Sequence, residues 1–329
     1  MSEWRAIEMQ HRRRVSLTLI VLGVILGGLG WWHHGGQAVA WDHEAHALRV
    51  ARSVNHHVNL TAYQNIEIAS PVPVTVKAGD TNQVTVRYLK GTKTRPQIGV
   101  EGSTLKVTCG QVKAKSATLL GGRASVGAAV ANSSGVLVTV PKGVQLNRVT
   151  VAAKSGSVSL QGLKLKRVIV ADSADLTLQG LTVTSQLQVH ATTGDVWLDD
   201  IHANNLAVQT RQGDIGLTNV QTTATRTRLV AADGDISVAG AKLGPSQVTV
   251  LKGDIRLMDN QVDGQLSATS QDGDIRARLH SSTGVSIAAA KGQVKVNDQV
   301  RSRKLHWRAD AKSQLNIKAL DGDVSVVNQ

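Results

Sequence analysis

The chain has 329 residues, 41% of them apolar, with 31 Gly, 5 Pro, two Tyr and no Phe. That length suits two or three ordinary domains or one long repeat array, and the missing aromatic filler favours a narrow core of stacked Val, Leu, Ile and Ala. A single cysteine, Cys109, excludes an intramolecular disulfide framework and a cysteine-based metal cluster, and the net charge of +13 reads either as a solvated basic surface or as attraction to an anionic partner.

The first element is a membrane anchor. Val15 to Trp32 is an uncharged run of 18 residues, which as a helix would extend ~27 Å, enough to cross a hydrocarbon core. Arg12, Arg13 and Arg14 precede it, and no Lys or Arg follows until Arg49. Positive residues stay in the cytoplasm, so residues 1–14 read as a cytoplasmic tail, 15–32 as the span, and the remainder as extracellular. Gly23 and Gly27 form a GxxxG pattern through which two anchors could dimerise weakly. Alternatively the segment is a signal peptide cleaved after Ala40, since "AVA" has the small-x-small form.

Residues 33–58 read as a juxtamembrane stalk. It holds six of the eleven His, but "HEAH" lacks the i, i+4 spacing of a zinc-protease helix.

Residues 59–150 read as a basic, β-rich region. "NIEIASPVPVTVKAGDTNQVTVRYL" and "STLKVTCG" alternate as strands do, and Cys109 ends one of them as a small hydrophobe. Between Trp41 and Thr150 lie 13 basic and 5 acidic side chains, whereas residues 151–329 carry 20 and 17. Lys90, Lys93 and Arg95 cluster in "YLKGTKTRPQ" as candidate contacts for anionic polymer or lipid.

Residues 151–329 are a repeat. Aligned on their turns, Gly156, Ala174, Gly194, Gly213, Gly234, Gly253, Gly273, Gly292 and Ser313 recur every 18 to 21 residues. Each unit is an alternating strand, a turn and another alternating strand, with no helical period between them. Strands returning at that interval without helices predict a parallel β-solenoid whose equivalent side chains stack ~4.8 Å apart. Leu206, Val208, Ile215 and Leu217 should point inward. An all-β, parallel β-solenoid (β-helix) of about 20-residue coils, preceded by an N-terminal transmembrane helix, is the expected fold.

The pairs Gly194–Asp195, Gly213–Asp214, Gly234–Asp235, Gly253–Asp254 and Gly273–Asp274, with Asp175 before them, should form one column. Neighbouring carboxylates there would repel by ~1 kcal/mol even at the water limit. Two readings compete: a calcium column, or turns in which each Asp accepts hydrogen bonds from N–H groups of its own turn. One Asp per coil falls short of the six to eight oxygens calcium takes. Gln293 and Gln314 replace Asp towards the C-terminus, which a turn tolerates. The turn reading is preferred, with no metal and no cofactor.

"VLVTVPKGVQLNRVTVAAKSGSVSLQGL", followed by repeated "GDI" turns and preceded by "VPVTVKAGDTNQVTVRY", resembles the putative-adhesin family of bacterial envelope proteins over residues 60–329. The resemblance implies a domain of unknown activity without catalytic residues. It also implies membrane-anchored relatives in Gram-positive bacteria that are associated with envelope stress.

The residues themselves also argue against an enzyme. Glu101 is the last Glu, and His190, His202, His280 and His306 fall singly in different units. No phosphate-binding loop, nucleophile elbow or metal triad occurs. An extracellular location and no interleaving of basic and aromatic residues argue against nucleic acid. Trp197 should point outward beside Asp199 and Asp200, as a lone surface aromatic or as a contact for a sugar or a protein. The expected function is a non-catalytic, membrane-anchored envelope module that touches anionic wall polymer or lipid. The alternative is a scaffold that presses a solenoid face on an envelope signalling protein.

Overall fold

The computed structural model describes residues 39–42, 47–50, 53–89, 96–110, 134–154, 156–223, 226–279 and 283–328. Every regular element among them is a β-strand, and the strands from Ser53 onward join in one 27-stranded sheet. Among the described residues no helix is long and apolar enough to cross a membrane. The tail at 1–14 and the run at 15–32, with Gly23 and Gly27, lie outside them.

The alternation in the sequence becomes the inside and outside of a coil. In one turn of chain Val196, Leu198, Ile201, Ala203, Leu206 and Val208 are buried, while Trp197 and His202 point outward. Parallel pairing then places like on like: Leu176, Val196, Ile215, Ile236, Ile255 and Ile275 follow one another from coil to coil. Each such side chain gains ~1.5–3 kcal/mol from burial. Leu206, Val208, Ile215 and Leu217 are all 1% exposed.

Each coil bends at the Gly-Asp turn and again six residues later. Gly162, Gly180, Asp200, Asn219, Gly240 and Asp259 all have φ between 53° and 66°. This second corner is a column of left-handed residues, and Gly, Asn and Asp are the types that adopt that conformation most readily. Its spacing was present in the sequence and was missed there, because only the first turn has an invariant-looking Gly-Asp pair.

The stack begins earlier than residue 151 and does not follow chain order at its ends. One outward column, read along the stack, runs Lys106, Glu67, Thr150, Ile169, Gln188, Ala207, Arg228, Gln247, Ser267, Asn316, Ser286. The strand Asn65–Ala69 thus lies between Thr104–Thr108 and Gln145–Ala152, so the region 59–150 supplies the first coils. At the other end Gln314–Asp321 is inserted between Gln265–Asp272 and Gly284–Ala289.

That insertion corrects the last turn. Gln314 begins a strand and does not occupy a turn; Gly322–Asp323 stacks on Gly273–Asp274, and Gly292–Gln293 lies beyond it. The repeat spacing misled because it assumes that neighbours in sequence are neighbours in the stack.

Antiparallel strands close both ends. At the first, Gln83–Leu89 and then Ser53–Asn59 pair outward from Gly135–Pro141, and Gln97–Glu101 covers Thr104–Thr108. At the second, Lys304–Trp307 pairs with Gly284–Ala289, and Gln299–Arg301 with Val294–Val296. Such caps cover sheet edges that would otherwise pair with another chain. The stretch expected as a stalk contributes the strand Ser53–Asn59 and a separate hairpin of Val39–Asp42 with Ala47–Val50.

Candidate functional site

A continuous polar ladder among the described residues runs along the Gly-Asp edge. Glycine is required there on two counts. Gly213 has φ 125°, and a Cβ on it would sit 2.3 Å from the Gly194 carbonyl oxygen. From Gly194 onward the backbone of each coil touches the coil before it at this point, and only a residue without a side chain fits; Ala174, one coil earlier, does not share the positive φ.

Each Asp bridges coils, which corrects the expectation of bonds within its own turn. The Asp175 carboxylate accepts from the Asp195 N–H at 3.1 Å, Asp195 from the Asp214 N–H at 2.9 Å, and Asp214 from the Asp235 N–H at 2.8 Å. The ladder continues through Asp254, Asp274 and Asp323 to the N–H of Gln293, which accordingly belongs to the column. A hydrogen bond to a charged group is worth about 1.5–3 kcal/mol, which outweighs the ~1 kcal/mol of repulsion per neighbouring pair.

Arginine offsets the remaining charge over part of the edge. Arg256 lies 2.9 Å from Asp235 Oδ2 and 3.2 Å from Asp254 Oδ2. Arg276 spans Asp254 and Asp274 at 3.5 and 2.9 Å. Every Oδ1 in the ladder is thus committed to a backbone N–H, and three of the Oδ2 atoms to arginine. Among the described residues no group of three or more His, Cys, Asp or Glu is placed to hold a metal ion.

Trp197 is 49% exposed. A Cβ built on Gly216, its register partner one coil along, would fall 2.2 Å from Cε3 and Cζ3 of the indole. The ring therefore lies over Gly216, and the absence of a side chain there seats it. Asp199 accepts from Gln179 Nε2 at 3.3 Å beside it. Lys90, Lys93 and Arg95 lie outside the described residues. At the end of the stack formed by the first coils, Lys77, Arg87 and Arg148 are exposed and make no ion pair among the described residues, while Lys106 and Lys142 pair with Glu101 and Asp80.

Burial pushes the Cys109 thiol up, away from the thiolate, with a Ser70 hydrogen bond opposing it. Burial also pushes the Tyr63 phenol up to about 12. His190 contacts Gln188, and His306 contacts Ser286.

A solenoid closed by antiparallel strands at both ends, with ladders of side chains outside and a largely aliphatic interior that also holds Tyr63 and a few polar residues such as Asn260, defines the chain as a capped β-solenoid protein. Within that class it belongs to the Toastrack DUF4097 family, whose profile matches residues 63–327. This family carries the adhesin resemblance read from the "GDI" turns. No curated protein matches the chain.

Three solved structures are similar to it. A putative cell adhesion protein from Clostridium sporogenes shares 11% identity over 85% of this chain and 100% of its own, with a TM-score of 0.25. A putative lipid binding protein from Parabacteroides distasonis shares 13% over 84% and 96%, with a TM-score of 0.42. A putative adhesin from Bacteroides fragilis shares 12% over 84% and 97%, with a TM-score of 0.32. Scores at this level place no constraint on what the chain binds.

Proposed function

We propose that the protein is a non-catalytic binding module of a bacterial envelope. It is tethered by residues 15–32, with residues 41–329 outside the cell, and its anchor-proximal half contacts anionic wall polymer or lipid. The observation that carries this reading is the excess of 13 basic over 5 acidic side chains between Trp41 and Thr150. Exposed Lys77, Arg87 and Arg148 at that end of the stack add to it.

Two measurements test it. Protease added to intact, wall-stripped cells should digest the array, and protection until lysis would overturn the topology. Reversing Lys90, Lys93 and Arg95 together should weaken binding to anionic vesicles or teichoic-acid-like polymer by about tenfold or more, at ~1 kcal/mol per charge near such a surface. Reversing Arg276 and Arg278 should have the smaller effect, since Arg276 already faces Asp254 and Asp274. Binding must also weaken as salt rises, because screening acts over ~8 Å at physiological ionic strength. Indifference to salt would sink the electrostatic reading.

A second reading is favoured by the seating of Trp197 over Gly216. A flat, fixed indole loses little side-chain entropy on contact, which suits a protein or sugar partner on the solenoid face. Sensitivity of binding to Trp197→Ala, without salt dependence, would select it.

A further inference from the structure

The charge of the array is not spread along it. Residues 151–290 carry 12 basic and 13 acidic side chains, whereas 291–318 carry 8 and 2. The fold gathers that excess at the end of the stack remote from the anchor-proximal strands. Register then brings particular side chains together. Ala288 lies opposite Lys304 on the antiparallel cap strand and opposite Lys318 on the inserted strand. Two residues away, Ser286 lies between His306 and Asn316 in the same way. Directly paired residues share a face, so Lys304, His306, Asn316 and Lys318 rise on either side of a floor made of Ser286 and Ala288.

Lys304, His306, Ala288 and Lys318 are exposed, and neither lysine makes an ion pair among the described residues. The Ser286 hydroxyl and His306 Nδ1 are 3.0 Å apart, which fixes the imidazole at the rim. Two strand spacings separate the lysine backbones, ~10 Å. Lysine stems are long enough to converge from that separation on one phosphate or to take successive ones. The row continues one rung along the stack to Thr269, whose register follows Lys318, and ends there, since the hydroxyl of the next residue, Thr249, is buried.

We propose that this trough is a second anion site, which binds the phosphates of a linear phosphodiester polymer along the stack axis. The inference rests on the binding-module reading and extends it to the opposite cap. A polymer fits better than a lipid surface for two reasons. Lys304, Lys318 and Thr269 follow one another along the stack axis. The trough also lies ten rungs, ~48 Å, from the strand Thr104–Thr108 at the anchor-proximal end, so a protein tethered at that end reaches away from its own membrane.

The test uses the full chain held by its anchor in uncharged phosphatidylcholine nanodiscs, titrated against long-chain polyphosphate, phosphatidylglycerol–phosphatidylcholine vesicles and uncharged dextran. Lys304→Glu with Lys318→Glu should weaken polyphosphate binding about tenfold or more, as expected for two charge-assisted contacts. Lys242→Glu, an equally exposed mid-array change on another side of the coil, should leave it within twofold. Unchanged melting would show that the cap variant is folded.

Equal loss from Lys242→Glu, no loss from the double variant, or binding to vesicles but not to polyphosphate would overturn the proposal. Reversal of Lys90, Lys93 and Arg95 separates it from the reading on which it rests. If that triple change alone abolishes binding, the module reading stands and the second site falls. If the Lys304 and Lys318 pair alone does so, the anchor-proximal contact falls instead.

Discussion

Gly234→Ala is expected to lower stability by about 3–5 kcal/mol, the sum of a forced left-handed conformation and an overpacked contact. Gly234 has φ 147°, and the added Cβ would lie 2.2 Å from the Gly213 carbonyl oxygen and 2.6 Å from its carbon. Neither atom can retreat easily. The Gly213 N–H donates to Asp233 O, and the Gly234 N–H to Lys252 O, both at 2.9 Å. A shift that relieves the clash therefore breaks the ladder on one side or the other. In a stack each coil is held only by its neighbours, so the damage should spread from this rung. Urea titration should show the midpoint falling, with hydrogen-exchange protection lost first in strands 227–233 and 246–252. Gly99→Ala is the control: nothing lies within 4 Å of a Cβ there, and it should be neutral. Equal stability of the two variants would show that the coils are not in backbone contact at the Gly-Asp edge.

Ile236→Asp should cost at least as much. Ile236 is 0% exposed and stacks between Ile215 and Ile255. Truncating a buried Ile costs about 2–5 kcal/mol, and an unpaired buried carboxylate adds several more or must protonate. Ile236→Val should cost only about 0.5–1.5 kcal/mol. The pair of measurements separates loss of a stacked methyl group from burial of charge. If Ile236→Asp melts with wild type, the side chain is not between coils and the register is wrong.

The two variants probe parts of the fold that differed in how openly the sequence declared them. The inward column at Ile215, Ile236 and Ile255 was legible from alternation, since burial selects aliphatics at every second position and water accepts the rest. The Gly-Asp column was legible as well, because a turn that recurs at fixed spacing must stack on itself. The second corner, at Asp200, Asn219 and Gly240, was equally periodic and was overlooked because three residue types share the one conformation.

The role of each Asp was not legible. Sequence identifies a turn former but cannot say whether its carboxylate bonds to its own turn or to the next coil. That depends on a stacking distance between residues about 20 positions apart. The pairing of Arg256 with Asp235 and Asp254 follows from the same stacking.

By itself, the sequence determined the all-β class, the aliphatic interior, the turn period and the family. Each of these is imposed locally, by alternation and by the backbone freedom of glycine. Only the tertiary structure decided the order of the coils at both ends, the seating of Trp197 over Gly216, and the meeting of Lys304 with Lys318 across Ala288. Those depend on which strand closes an exposed edge. That choice is made by the free energy of covering unpaired backbone groups at the ends of the stack, and no periodicity in the chain records it.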